Sequence, residues 1–94
     1  MTAKGKHRTN VLTTQAIKRL AGPKRYPDGG RLYLQVDQTG TKRWLMRITI
    51  GGKRRDLGLG GWPTVALANA RKKAAKIRLD LIEGIDPIQN RRKA

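Results

Sequence analysis

Residues 43–59 constrain the fold more than any other stretch. Trp44, Met46, Ile48 and Ile50 fall at every second position, Gly51-Gly52 interrupts, and Leu57 and Leu59 resume the alternation. Successive side chains of a strand point to opposite faces, so the apolar set shares one face and leaves Arg43, Leu45, Arg47 and Thr49 on the other. A Gly-Gly pair supplies the positive φ that both central positions of a type I′ turn require. The spacing therefore predicts a two-residue hairpin with Met46 opposite Leu57 and Trp44 opposite Leu59. A hairpin alone is marginal in water, and the apolar side of this one must be covered by something else.

Two other segments supply the cover and the third strand. Leu32, Leu34 and Val36 alternate with Tyr33, Gln35 and Asp37 after the turn cluster Pro27-Asp28-Gly29-Gly30, as a half-buried strand does. Placing Val36 opposite Trp44 sets Leu34 beside Met46 and Leu32 beside Ile48, with a loop through Gln38–Lys42. From Thr64 to Glu83 neither Gly nor Pro intervenes, and Leu67, Ala70, Ala74, Ile77 and Leu81 recur at helical spacing until Gly84 stops the pattern. A short N-terminal helix is expected after Thr13, with Thr13 as N-cap and Gly22-Pro23 as its stop. The predicted fold is α+β: a three-stranded antiparallel sheet packed on one C-terminal α-helix, with a short N-terminal helix. Residues 1–11 read as a flexible basic tail, 12–84 as the folded domain and 85–94 as a linker.

Charge narrows the partner. Of the 94 residues, 22 are Lys or Arg and only 6 are Asp or Glu, a formal net charge of +16. That excess self-repels in the compact state and calls for a polyanion, nucleic acid first among them. There is no Cys and a single His, His7, so neither a disulfide framework nor a thiolate or imidazole metal site is expected. No apolar run is long enough for a signal peptide or a membrane span, which points to a soluble, cytoplasmic chain without a membrane partner.

The motifs give no sign of catalysis. Gly58-Leu59-Gly60-Gly61-Trp62-Pro63 superficially resembles a dinucleotide loop, but Pro63 stands where the third glycine belongs and no parallel unit surrounds it. No catalytic residue and no cofactor is expected. With the helix on the apolar side, the other side of the sheet carries Tyr33, Arg47 and Asp56 in one row and Gln35, Leu45 and Gly58 in the next, flanked by Asp37 with Arg43 and Thr49 with Arg54. Arg suits guanine, Gln suits adenine and an apolar side chain suits the thymine methyl, so the candidate base-reading residues are Tyr33, Gln35, Arg43, Leu45, Arg47 and Thr49. Lys42, Lys53 and Arg54, near the turns, are candidates for phosphate. The plainer alternative is a solvated face on which Arg47 pairs with Asp56. On the helix, Arg71, Lys72, Lys73, Lys76 and Arg78 are expected to form a solvated face. A double-stranded RNA binder or a ribosomal-type RNA-binding protein is the competing class.

Five strings in order, "LTTQAIKRL", "DGGRLYLQV", "TKRWLMRITIGGKRRDLGLGGWP", "LANAR" and "GIDP", resemble the arm DNA-binding domain at the N-terminus of tyrosine-type phage and genomic-island integrases, over about residues 12–88. The resemblance implies a sheet that recognises double-stranded DNA at arm-type sites, in a prophage or mobile-element integrase whose catalytic residues lie in a separate C-terminal domain. The domain itself would not be an enzyme: it would tether a recombinase for DNA integration and excision. Its implied partners are the remaining integrase domains and other protomers, and its implied place is the bacterial nucleoid. Arg31 stands where the family usually has Gly, and adds a candidate phosphate contact; Ala66 and Asn69 replace the family's Ser and Glu of a capping box.

Overall fold

The computed structural model describes residues 11–89. In chain order it contains α1 (Thr14–Arg19), β1 (Lys24–Gly29), β2 (Leu32–Val36), β3 (Lys42–Ile50), β4 (Lys53–Trp62) and α2 (Leu67–Ile82). The sheet is an antiparallel meander in the order β1-β2-β3-β4. It has four strands where the sequence predicts three. The additional strand, β1, shows no apolar alternation, and Pro27 removes a donor, which only an edge strand tolerates. Backbone pairing to β2 creates it, from Lys24 opposite Val36 to Tyr26 opposite Leu34. Tyr26 donates its hydroxyl to the Ala21 carbonyl and stacks under Lys24. The expectations for residues 1–10 and 90–94 lie outside the described residues.

The β3–β4 hairpin closes as predicted, with Gly51 at φ 58°, Gly52 at φ 77° and Met46 opposite Leu57. Trp44, however, pairs with Gly60 rather than Leu59, because a bulge inserts Leu59 as an extra residue. Gly60 takes φ 109° there, which a side chain rarely allows, and Leu57 and Leu59 are both buried. In the β2–β3 hairpin the register differs by two residues from the expected one: Leu34 faces Trp44, Leu32 faces Met46 and Val36 faces Lys42. Asp37 causes the shift. Its carboxylate accepts the N–H groups of Thr39 (2.9 Å) and Thr41 (3.0 Å) and the Thr39 hydroxyl (2.7 Å), folding the loop tightly from its first residue. A slip of two preserves strand parity, so every predicted face survives.

The apolar face and α2 enclose one core. Trp44, Met46, Ile48, Leu32 and Leu34 are each at most 1% exposed, and Leu67, Ala70, Ala74 and Ile77 of α2 close over them. Ile17 of α1 is wholly buried, held by the Thr13 cap, whose hydroxyl accepts the Ala16 N–H at 3.1 Å. Helix α2 begins at Leu67 rather than Thr64, because the Val65 carbonyl receives the Trp44 indole N–H at 2.8 Å and so turns from the helix axis. Ala66 makes no side-chain cap. At the other end Glu83 is the C-cap and Gly84 follows at φ 79°.

Candidate nucleic-acid interface

The face of the sheet opposite α2 is open. The two-residue shift regroups its side chains: Tyr33 lies beside Leu45 and Gly58, Gln35 beside Arg43 and Gly61, and Arg47 beside Asp56. The rows expected from sequence, Tyr33 with Arg47 and Gln35 with Leu45, are therefore corrected, although all of these residues do share one face. Thr49 pairs with Arg54 as expected. Arg43, Thr49, Lys53 and Arg54 are exposed, while Tyr33, Gln35, Leu45 and Arg47 are half-buried. Lys42 and Lys53 differ from the others. Alternation puts Lys42 on the Trp44 side of β3, where its ammonium stands 5.7 Å from the Trp62 ring centroid, and Lys53, opposite Ile50, shares that side at the tip of the hairpin.

A charged cluster crosses this face. Arg47 Nε donates to Asp56 Oδ1 at 3.4 Å, and Arg25 Nη1 lies 3.3 Å from Asp56 Oδ2. Arg25 Nη2 also donates to Gln35 Oε1 at 2.9 Å, and the Arg47 guanidinium stands 5.5 Å from the Tyr33 ring centroid. Arg25 belongs to one edge strand and Asp56 to the other, which a flat sheet would hold ~14 Å apart. The Arg25 side chain reaches inward across the open side to meet Asp56. Arg25 goes unnoticed in the sequence because β1 does.

The turn entering β2 carries Gly29, Gly30 and Arg31 at φ 103°, 61° and 72°. Arg31 is the one non-glycine residue with positive φ among the described residues, and its side chain is exposed. Its carbonyl accepts the Arg47 N–H at 2.9 Å, fixing the turn to β3. At the far end of β2 the Thr39 hydroxyl, the Thr41 and Thr39 N–H groups and the nearby charge of Arg43 hold the Asp37 carboxyl below its ordinary range.

Two cations expected on the solvated face of the helix are structural instead. Arg71 donates through Nε to Asp28 Oδ2 (2.8 Å), and through Nη2 to Asp28 Oδ1 (2.9 Å) and the Leu12 carbonyl (2.8 Å). The hydrogen bond to Asp28 pushes the Arg71 guanidinium up from its ordinary value. Arg78 Nη1 donates to the Gly30 carbonyl at 2.6 Å. Lys73 reaches the Leu59 carbonyl at 3.3 Å on the outer edge of β4, and Lys76 stands 3.7 Å from Asp80. Much of the positive charge of α2 thus serves the fold, and a charged side chain on an edge strand also deters pairing with another sheet.

Among the described residues no His, Cys, Asp and Glu side chains cluster as a metal site, and no helix is long and apolar enough to cross a membrane. What the geometry defines is a helix-backed sheet with one open, arginine-bearing face. The chain belongs to the arm DNA-binding domain family, whose model matches residues 12–94. It is similar to an integrase of Shigella phage Sf6 and to the prophage integrase IntS of Escherichia coli K12, each 40% identical over 79 residues that make up 84% of this chain and 20% of the relative. An integrase of Enterobacteria phage P4 is 44% identical over 62 residues, 64% of this chain and 14% of that protein. The chain thus spans about a fifth of the length of the Sf6 and K12 relatives. These relatives are integrases by name, and nothing supports the RNA alternative.

Proposed function

We propose that this domain binds double-stranded DNA through the open face of its sheet, at the arm-type sites of an integrase for which it serves as the N-terminal, non-catalytic module. The observation that carries the reading is the overhang of the β3–β4 hairpin. Pairing between β2 and β3 stops at Leu32 with Met46, so residues 47–56 continue as a two-stranded ribbon bearing Arg47, Thr49, Arg54 and Asp56 on the open side. A major groove ~12 Å wide admits a two-stranded ribbon but not a four-stranded sheet. The ribbon enters, and Tyr33, Gln35, Arg43 and Leu45 follow at the groove's rim. Lys53 at the tip and Arg31 at the near turn reach phosphates. Lys42 joins them from the flank.

In this reading the parent is a prophage or mobile-element integrase of the tyrosine recombinase type, acting on the nucleoid in the cytoplasm. The domain, residues 12–84 with a basic tail before it and a linker after it, raises the effective concentration of the catalytic domain at its DNA and contributes no chemistry. Other protomers and the remaining domains of the same chain are its partners in the recombination complex.

The test is titration of a fluorescent duplex over a range of salt. Log affinity should fall linearly with log salt at a slope of ~0.9 per phosphate contacted. Arg47→Ala and Gln35→Ala should narrow the gap between a selected and a random duplex by ~1–3 kcal/mol, while Lys53→Ala should weaken both alike. Amide shifts that move on α2 and leave the β3–β4 ribbon still would refute the assignment.

A further inference from the structure

Resting on that reading, we propose that Asp56 is a specificity-determining residue: its carboxylate holds Arg47 and Arg25 down on the sheet and keeps phosphate off the ribbon, so that the face discriminates between base sequences rather than gripping any backbone. Asp56 is the only acidic residue on the open side of the described strands. The other strand acid, Asp28, is buried against Arg71, and Asp37 sits in the loop beyond β2. In a chain with 22 basic and 6 acidic residues, a carboxylate in the middle of the surface offered to a polyanion costs affinity. Stability does not account for it. The Asp56 side chain is 38% exposed and those of Arg25 and Arg47 are 33% and 34% exposed, a degree of hydration at which ion pairs contribute little.

The geometry shows what the carboxylate does accomplish. It accepts Arg47 Nε on one oxygen and faces Arg25 Nη1 on the other, drawing together guanidiniums from β3 and β1. Arg47 is further positioned over the Tyr33 ring, and Arg25 by Gln35. Arginines held in this way lie along the sheet surface, Arg47 on the ribbon and Arg25 at the rim, and lose less side-chain freedom when they meet a base edge. Freed of Asp56, both side chains swing out toward the nearer and less selective ligand, phosphate. A carboxylate between them also penalises any docking pose that brings the sugar-phosphate backbone over the ribbon, which is specificity gained by repulsion.

The experiment uses the 94-residue chain with Asp56→Asn, which keeps the shape and removes the charge, and Asp56→Ala, which removes both. A duplex enriched from a randomised pool by the wild-type chain and a shuffled duplex of the same composition are titrated across salt, with thermal melts as a check on folding. Both variants should bind the shuffled duplex several-fold more tightly, with a salt slope steeper by ~0.9 for each arginine released to phosphate. Binding to the enriched duplex should stay level or weaken, so that discrimination falls by about fivefold or more. Equal gains on both duplexes, or no change on either, would overturn the proposal, since bulk charge alone would then explain Asp56. A wild-type chain that binds no duplex in a salt-dependent way would overturn the DNA-binding reading itself and the proposal with it.

Discussion

Replacing Asp28 with Ala tests the claim that a buried ion pair, and not packing alone, fastens α2 to the sheet. Asp28 is 1% exposed. Its two oxygens accept three hydrogen bonds, from the Leu12 N–H at 2.8 Å, Arg71 Nε at 2.8 Å and Arg71 Nη2 at 2.9 Å, the last two carrying the guanidinium charge. Truncation strands the Leu12 N–H and leaves a guanidinium facing a hole. Removing one member of a fully buried pair costs ~3–5 kcal/mol. The Arg71 side chain keeps 29% of its surface in water, which recovers part of that loss, so about 2–3 kcal/mol is expected. For a domain of this size each kcal/mol lowers the melting temperature by ~4–8 °C, so Asp28→Ala should melt roughly 10–20 °C lower. Arg71→Ala should cost as much, because it leaves a carboxylate buried without its cation, and the double variant should cost at least ~1 kcal/mol less than the sum. Discrimination between DNA sequences, measured below the melting point, should be unaffected, since the pair lies on the helix side. A fall of under ~4 °C for Asp28→Ala, or strict additivity in the cycle, would refute the reasoning.

Arg31→Gly relieves a left-handed arginine at φ 72°, so its melting temperature should hold or rise slightly while affinity drops a few-fold on every duplex alike; undiminished affinity would remove Arg31 from the contact set. Gly60→Ala places a methyl 2.6 Å from Val65 Cγ2 at φ 109° and should cost ~1–3 kcal/mol in a thermal melt. The Asp37 carboxyl is held below its ordinary range, so its contribution to the β2–β3 loop is present above the unfolded value of ~3.9 and is lost as pH falls through the lower folded value. Protection of the Thr39 and Thr41 amides, measured as exchange relative to the intrinsic rate at each pH, should fall on such acidification, and Asp37→Asn should show the lowered protection at neutral pH.

What the sequence discloses depends on whether a signal is local. Strands β2, β3 and β4 announce themselves because alternation repeats within each one, and α2 does so through its three- and four-residue spacing. Strand β1 has no such signature: Lys24, Arg25, Pro27 and Gly29 suggest a turn-rich connector, and only the free edge of β2 makes a strand of them. The β2–β3 register escapes for a related reason. Parity decides which face a residue occupies, and a slip of two leaves parity intact, so hydrophobic patterning alone accepts both alignments. Asp37 selects between them through hydrogen bonds that alternation cannot weigh. Hence the open face is composed as expected while its rows are not, and the partnership of Arg25 with Asp56 emerges only once β1 is in place.

Net charge carries the same lesson further. A value of +16 identifies the kind of partner without saying which surface meets it, because basic residues lie on both sides of the domain. Contacts separate them. On the helix side Arg71, Arg78 and Lys73 donate to Asp28, to Gly30 and to Leu59 within the fold, so their charge is partly consumed by carbonyls and a carboxylate. On the sheet side Arg43 and Arg54 stand exposed beside a ribbon narrow enough for a groove, and the cationic cluster there is restrained by a single aspartate. Substitution should therefore sort the arginines into two groups with little overlap: Arg71→Ala and Arg78→Ala lower the melting temperature and spare duplex affinity at low temperature, whereas Arg43→Ala and Arg54→Ala do the reverse. Loss of affinity from the helix pair in a fully folded domain would mean that DNA lies against α2, and the open sheet would need another purpose.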